Sequence, residues 1–236
     1  MKARRRAYLL ADQDIAFLND DDTRGVRLQL EYQKAEALLR KQGVRHTILV
    51  MGSTRASRKD PYYGVAREFG RIVGRVPHVA IMTGGGPGIM EAANRGAYEV
   101  GGLSIGMNID LPREQVPNRY LTPELCLRFR YFALRKLHFL LRAQAMVAFP
   151  GGYGTFDELF ETLTLVQCRK IPPLPIVLVG ERYWRRAVDF DFLVREGTID
   201  ARDRKLFRYA ETAADIWRAI RPGVPAGGRA RRRRAR

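Results

Sequence analysis

Short apolar runs alternate with longer amphipathic stretches along this chain. The runs at 47–51, 79–82, 103–107, 145–149 and 175–179 are almost wholly apolar, as expected of strands covered on both faces of a parallel sheet. Between and after them, stretches with helical spacing of apolar residues occupy 28–41, 63–73, 89–100, 129–142, 156–168, 183–194 and 213–220. Strand and helix alternating in this way predict an α/β fold, a doubly wound parallel sheet with right-handed crossovers, in a single domain. No internal repeat appears beyond two glycine-loop units.

Three segments resist this pattern. Residues 1–27 are polar and charged, with Asp20, Asp21 and Asp22 in a row, and read as a flexible N-terminal arm. Residues 108–127 carry Pro112, Pro117 and Pro123 and read as a long irregular connection of the kind that often serves function. Residues 223–236 read as a disordered arginine-rich tail, leaving 28–222 as the folded domain. Within the helices, 28–41 presents the pairs Glu31/Lys34 and Glu36/Arg40 on a surface face, with Leu30, Ala37 and Leu38 among its apolar positions. In 129–142, Phe129, Phe132, Ala133, Leu137 and Leu140 form an apolar stripe. Arg128, Arg135 and Arg142 fall on the other side, and Lys136 falls on the stripe itself.

Two strand ends open into glycine-rich turns that lead into helices. One is Thr83-Gly84-Gly85-Gly86-Pro87-Gly88, with Pro87 expected in the first helical turn. The other is Pro150-Gly151-Gly152-Tyr153-Gly154-Thr155, followed by Phe156-Asp157-Glu158. Glycines let the backbone approach a ligand closely, and free N–H groups at a helix start favour an anion such as phosphate. The same letters also suit a plain structural turn in which Thr155 caps the helix and Glu158 closes a capping box. Neither loop is a Walker A sequence or a Gly-x-Gly-x-x-Gly fingerprint, so generic ATP or NAD binding is not what the spacing supports. Ser53 and Arg55, just beyond the 47–51 strand, stand where ligands gather in such sheets.

Composition narrows the reading. Cys126 and Cys168 are the two cysteines of 236 residues and form no Cys-x-x-Cys, which fits a reducing cytoplasm rather than a disulfide framework or a zinc site. No apolar run approaches a membrane span. The net charge of +17 invites a nucleic-acid partner. Eleven basic residues, however, lie in the first six positions and from Arg221 onward, leaving about +6 for the rest. The tail can contact RNA or acidic surfaces without sequence preference, and is more simply a solvated segment.

The stretch from Thr83-Gly84-Gly85-Gly86-Pro87-Gly88-Ile89-Met90-Glu91 through Ala97, then Arg135-Lys136, then Pro150 through Glu158, closely resembles the Lonely Guy (LOG) family, often labelled lysine decarboxylase. The resemblance spans about 48–220. It implies a Rossmann-like phosphoribohydrolase that splits a nucleoside 5′-monophosphate, a cytokinin riboside or AMP-like purine nucleotide, into free base and ribose 5-phosphate. It implies catalytic roles for Arg135 and Glu158, and substrate contacts from Ser53, Gly85, Gly86, Glu91, Asn94, Lys136, Gly151, Gly152, Tyr153, Gly154 and Thr155. It implies no metal and no cofactor, and a homodimer or larger homo-oligomer with sites near the subunit boundary. A different class uses the same loops: a nucleotide-binding sensor or carrier without turnover. The decarboxylase label finds no support, since Lys136 lies mid-helix beside an arginine and no pattern resembles a pyridoxal phosphate lysine.

Overall fold

The computed structural model describes residues 7–112 and 116–224. The tail beyond residue 224 and the first six residues lie outside the described residues. Seven strands form one parallel sheet: β1 His46–Met51, β2 Val79–Thr83, β3 Ser104–Ile109, β4 Cys126–Phe129, β5 Ala143–Ala148, β6 Ile176–Val179 and β7 Phe207–Ala210. Their order is β4-β3-β2-β1-β5-β6-β7 with every neighbouring pair parallel, so the chain winds outward from β1 in one direction and from β5 in the other. The winding reverses between β1 and β5, where loops on the carboxyl side of the strands diverge and leave a crevice. This is the Rossmann-like architecture expected from the apolar runs.

Alternate residues of each strand feed two cores. On one face Ile48, Val50, Ile81 and Val147 meet α3 (Pro61–Gly74), α4 (Ile89–Glu99) and α9 (Ala213–Ile220). On the other, Leu49, Met82, Met107 and Met146 meet α2 (Arg24–Lys41), α5 (Phe132–Leu141), α6 (Tyr153–Gln167), α7 (Glu181–Ala187) and α8 (Phe190–Arg195). Local signals set several ends. The Asp60 side chain accepts from the Tyr62 amide ahead of Pro61, and Thr212 caps α9 by accepting from the Asp215 amide.

The structure departs from the sequence expectations at several elements. Ahead of α2, residues read as a loose arm contain a helical turn, α1 (Ile15–Leu18), and a 3-10 turn at Asp21–Thr23, and α2 begins at Arg24 rather than 28. The 108–127 connection ends in a 3-10 turn and runs into β4, and Phe129 closes that strand instead of opening a helix. Residues 183–194 form two short helices, not one, and β7 had no counterpart in the pattern. Both glycine-loop helices start differently too. Pro87 precedes α4, whose N-cap is Gly88, and α6 begins at Tyr153 with Gly152 as N-cap and no side-chain cap, so Thr155 and Glu158 form no capping box.

The largest correction concerns α5. Phe132 is 51% exposed and Leu137 42%, while His138 and Phe139 are buried, so the helix is turned away from the expected apolar stripe. Two carboxylates of α2 hold it there. Glu31 accepts from the backbone N–H groups of Arg130 and Tyr131 at 2.7 and 3.1 Å, at the start of α5. Glu36 takes both guanidinium arms of Arg142 at 2.5 and 2.8 Å, at its end. The pairs Glu31/Lys34 and Glu36/Arg40 expected within α2 give way to these longer-range contacts, and Arg135 turns inward.

Candidate active site

The three loops that follow β1, β2 and β5 meet at the crevice. The Ser53 amide donates to Pro150 O at 2.9 Å, and the Ile89 amide donates to Ser53 O at 3.0 Å. Ser53 thus ties the second glycine loop to the first, while its hydroxyl accepts from the Arg55 amide at 3.1 Å.

The first loop is an interior structure. Thr83 Oγ1 accepts from the Gly85 amide at 2.9 Å and donates to Asn94 Oδ1 at 2.6 Å. Asn94 also donates to Ser104 Oγ and accepts from Asn118 Nδ2. It is wholly buried with its amide occupied, and in this position it braces the loop. Asn118 donates to the carbonyls of Gly85 and Gly86, both at 3.1 Å. Gly85 and Gly88 have φ of 76° and 71°, and a Cβ on Gly88 would lie 2.2 Å from Ser53 O. Glu91 accepts from Tyr63 Oη at 2.9 Å and from Arg58 at 3.1 Å, so its Oε1 is already engaged at the entrance of α4.

Arg135 reaches this loop from α5. Its Nε donates to Met107 O at 2.8 Å, and its guanidinium lies over the Phe139 ring at 5.0 Å. A Cβ on Gly84 would stand 2.6 Å from its Nη2, so the absence of a side chain there is what admits the arginine. Burial pulls the Arg135 pKa down, against the opposing charges of Glu158 and Asp157.

The second loop is open. Gly152, Tyr153 and Gly154 are exposed, Tyr153 at 96%, and a Cβ on Gly152 or Gly154 would meet nothing within 4 Å. The first amides of α6 have no partner inside the helix, and the helix dipole adds positive potential beside them. Thr155 is buried beneath the loop, its Oγ1 only 2.1 Å from where a Gly151 Cβ would be.

Glu158, in the second turn of α6, is 4% exposed. Burial drives its pKa up to about 7, although Lys136 and Arg135 pull the other way. Lys136 does not point freely at a ligand. It bridges Asp157 at 2.8 Å and Glu161 at 3.0 Å, and these carboxylates outweigh burial and hold its pKa up. A buried carboxyl whose pKa is raised toward neutrality, two cations beside it and a row of unpaired amides can together bind an anion and exchange a proton.

Sequence reasoning missed Asn118, Asn108, Tyr63 and the pair Tyr183-Trp184. Asn118 lies in the proline-containing connection and carried one usable signal, its place just after Pro117. Asn108 was read as the first residue of that same connection, and Tyr63, Tyr183 and Trp184 as ordinary helix positions.

An open α/β sheet whose glycine loops converge at the strand reversal is of the class that gathers a ligand at the carboxyl ends of its strands. The family profile described as "possible lysine decarboxylase" matches residues 90–220. Two relatives from Arabidopsis thaliana are the cytokinin riboside 5′-monophosphate phosphoribohydrolases LOG1 and LOG3. LOG1 is 30% identical over 185 residues, 75% of this chain and 84% of the relative; LOG3 is 29% identical over 194 residues, 79% and 86%. The chain belongs to the LOG family. Among solved structures, TM1055 shares the fold at a TM-score of 0.54 and 21% identity, over 75% of this chain and 99% of that one. The molybdenum cofactor carrier protein of Chlamydomonas reinhardtii does so at 0.54 and 23%, over 76% and 98%. Both likenesses concern the fold alone.

Proposed function

We propose that this protein hydrolyses the N-glycosidic bond of a nucleoside 5′-monophosphate, releasing free base and ribose 5-phosphate. The observation that carries the reading is the convergence of buried Glu158, poised near neutral pH, with Arg135 between an open loop and a closed one. The substrate phosphate lies on the amides of Gly152, Tyr153 and Gly154, where charge-assisted hydrogen bonds favour it over an uncharged hydroxyl. Arg135 supplies positive charge across the crevice.

As the C1′–N bond breaks, its electron pair leaves with the base and positive charge grows on the sugar, as in other glycosyl transfers. Ionised Glu158 stabilises that charge and takes a proton from the attacking water. The water oxygen bonds to C1′, and the proton taken up by Glu158 passes to the departing base, which returns the carboxylate to its ionised form. A carboxylate with a pKa near 7 is well matched to this exchange. The cytokinin riboside monophosphate named for the Arabidopsis relatives is the first substrate to try, with AMP beside it.

The same reading assigns a homodimer. The turned helix α5 leaves Phe132, Leu137 and Leu141 exposed on the element that carries Arg135. It also assigns a cytoplasmic location, in keeping with two free cysteines. Among the described residues no helix is long and apolar enough to cross a membrane.

Release of base and ribose 5-phosphate from a panel of nucleoside monophosphates tests the reading, with Glu158→Gln alongside. Turnover is expected to fall by roughly 10²–10⁴-fold in the variant and to be far weaker with adenosine than with AMP. Tight nucleotide binding with no base released by the unaltered protein would replace the hydrolase with a non-catalytic binder.

A further inference from the structure

We propose that Tyr183, on α7, is a positioning residue that aims the second glycine loop at its ligand; the proposal rests on the reading of that loop as the phosphate site. Tyr183 Oη donates to Gly151 O at 2.5 Å. The described chain has no cis peptide, and across a trans peptide the carbonyl and the following N–H point in opposite directions. Holding the Gly151 carbonyl toward α7 therefore turns the Gly152 amide away from α7, and Gly152 itself is exposed, with nothing within 4 Å of where its Cβ would stand.

The clamp stands on a fixed base. The Tyr183 ring meets Trp184 edge-on at 5.2 Å between centroids. Trp184 is fully buried, and its indole N–H donates to Ala148 O at 3.2 Å and Val179 O at 3.0 Å, at the ends of β5 and β6. Thr155 fills the space beneath Gly151 and blocks a shift in that direction. Remove the hydroxyl and the 151–152 peptide is free to rotate, so the amide donor is lost to the ligand for part of the time while the loop stays in place.

Tyr183→Phe tests this. Affinity for ribose 5-phosphate, measured by calorimetry, is expected to weaken about tenfold, equivalent to about 1.4 kcal/mol. KM for the nucleoside monophosphate should rise by a similar factor with kcat within about twofold, and the slow turnover of adenosine should not change. Unchanged ribose 5-phosphate affinity, a loss confined to kcat, or an equal loss with adenosine would overturn the proposal, as would an unaltered protein that does not bind ribose 5-phosphate. The calorimetric arm needs no turnover. An unaltered protein that binds the sugar phosphate but cleaves no nucleotide defeats the hydrolase reading, and a tenfold weakening in Tyr183→Phe then still supports the clamp.

Discussion

The two glycine loops look alike in one-letter code and differ in nearly every physical respect. The loop after β2 is buried and held by neutral groups: the hydroxyl of Thr83, the amides of Asn94 and Asn118, and the side chain of Asn108 against Gly85. Its glycines answer to left-handed backbone and to crowding. The loop after β5 is exposed, has no positive φ, and is surrounded by ionisable groups: Glu158, Asp157, Glu161, Lys136 and Arg135. Its open glycines leave space for what arrives. One loop is a wall and the other a seat, and the chemistry gathers around the seat.

Substituting one glycine in each loop separates these roles. Gly88→Ala forces a side chain at φ 71° and 2.2 Å from a backbone oxygen. It should destabilise the protein by about 3 kcal/mol or more, seen as a fall in Tm of roughly 6 °C or more. A Tm within a degree of the unaltered protein would show that the wall is not rigid.

Glu158, buried beside the open loop, makes stability depend on pH. Glu158 has a folded pKa of about 7, above its ordinary 4.5. Its contribution to stability is fully present below 4.5 and is lost as pH rises through about 7, because ionising the buried carboxyl is opposed. Glu158→Gln stays neutral throughout. Its Tm relative to the unaltered protein should therefore climb between pH 4.5 and about 7 and level off above, while activity collapses. A difference in Tm that is flat with pH would place the carboxyl in a solvated setting.

The smallest expected change in stability is that of Gly152→Ala. With φ at −96° and open space around it, alanine should alter stability by no more than about 0.5 kcal/mol. KM for the monophosphate should nevertheless rise, because the new methyl intrudes where the ligand sits. A destabilised variant would make the second loop as confined as the first.

Most of the sheet was legible because β1, β2, β3, β5 and β6 are buried on both sides and so appear as unbroken apolar runs. The edge strands were not. In β4 exposed and buried residues alternate over four positions, and β7 has only Phe207 and Ala210 buried, too short a signal to stand out. The orientation of α5 was illegible for another reason. It depends on Glu31 and Glu36, about a hundred residues away, and no periodicity within the helix encodes them. At the site, the glycines and Glu158 carried readable spacing. The clamps Asn118 and Tyr183 did not, because each acts through contacts with residues more than twenty positions away that only the fold brings within reach.

The position of β1 has a consequence for where this protein can be cut. The family profile covers 90–220, yet β1 lies between β2 and β5, with Leu49 level with Met82 on one side and Met146 on the other. A fragment trimmed to the matched region would lose the central strand β1, its neighbour β2 and α2, which splints α5. The portion the profile matches is therefore smaller than the portion that builds the sheet, and residues near the N-terminus hold together a site to which most of them contribute no atom.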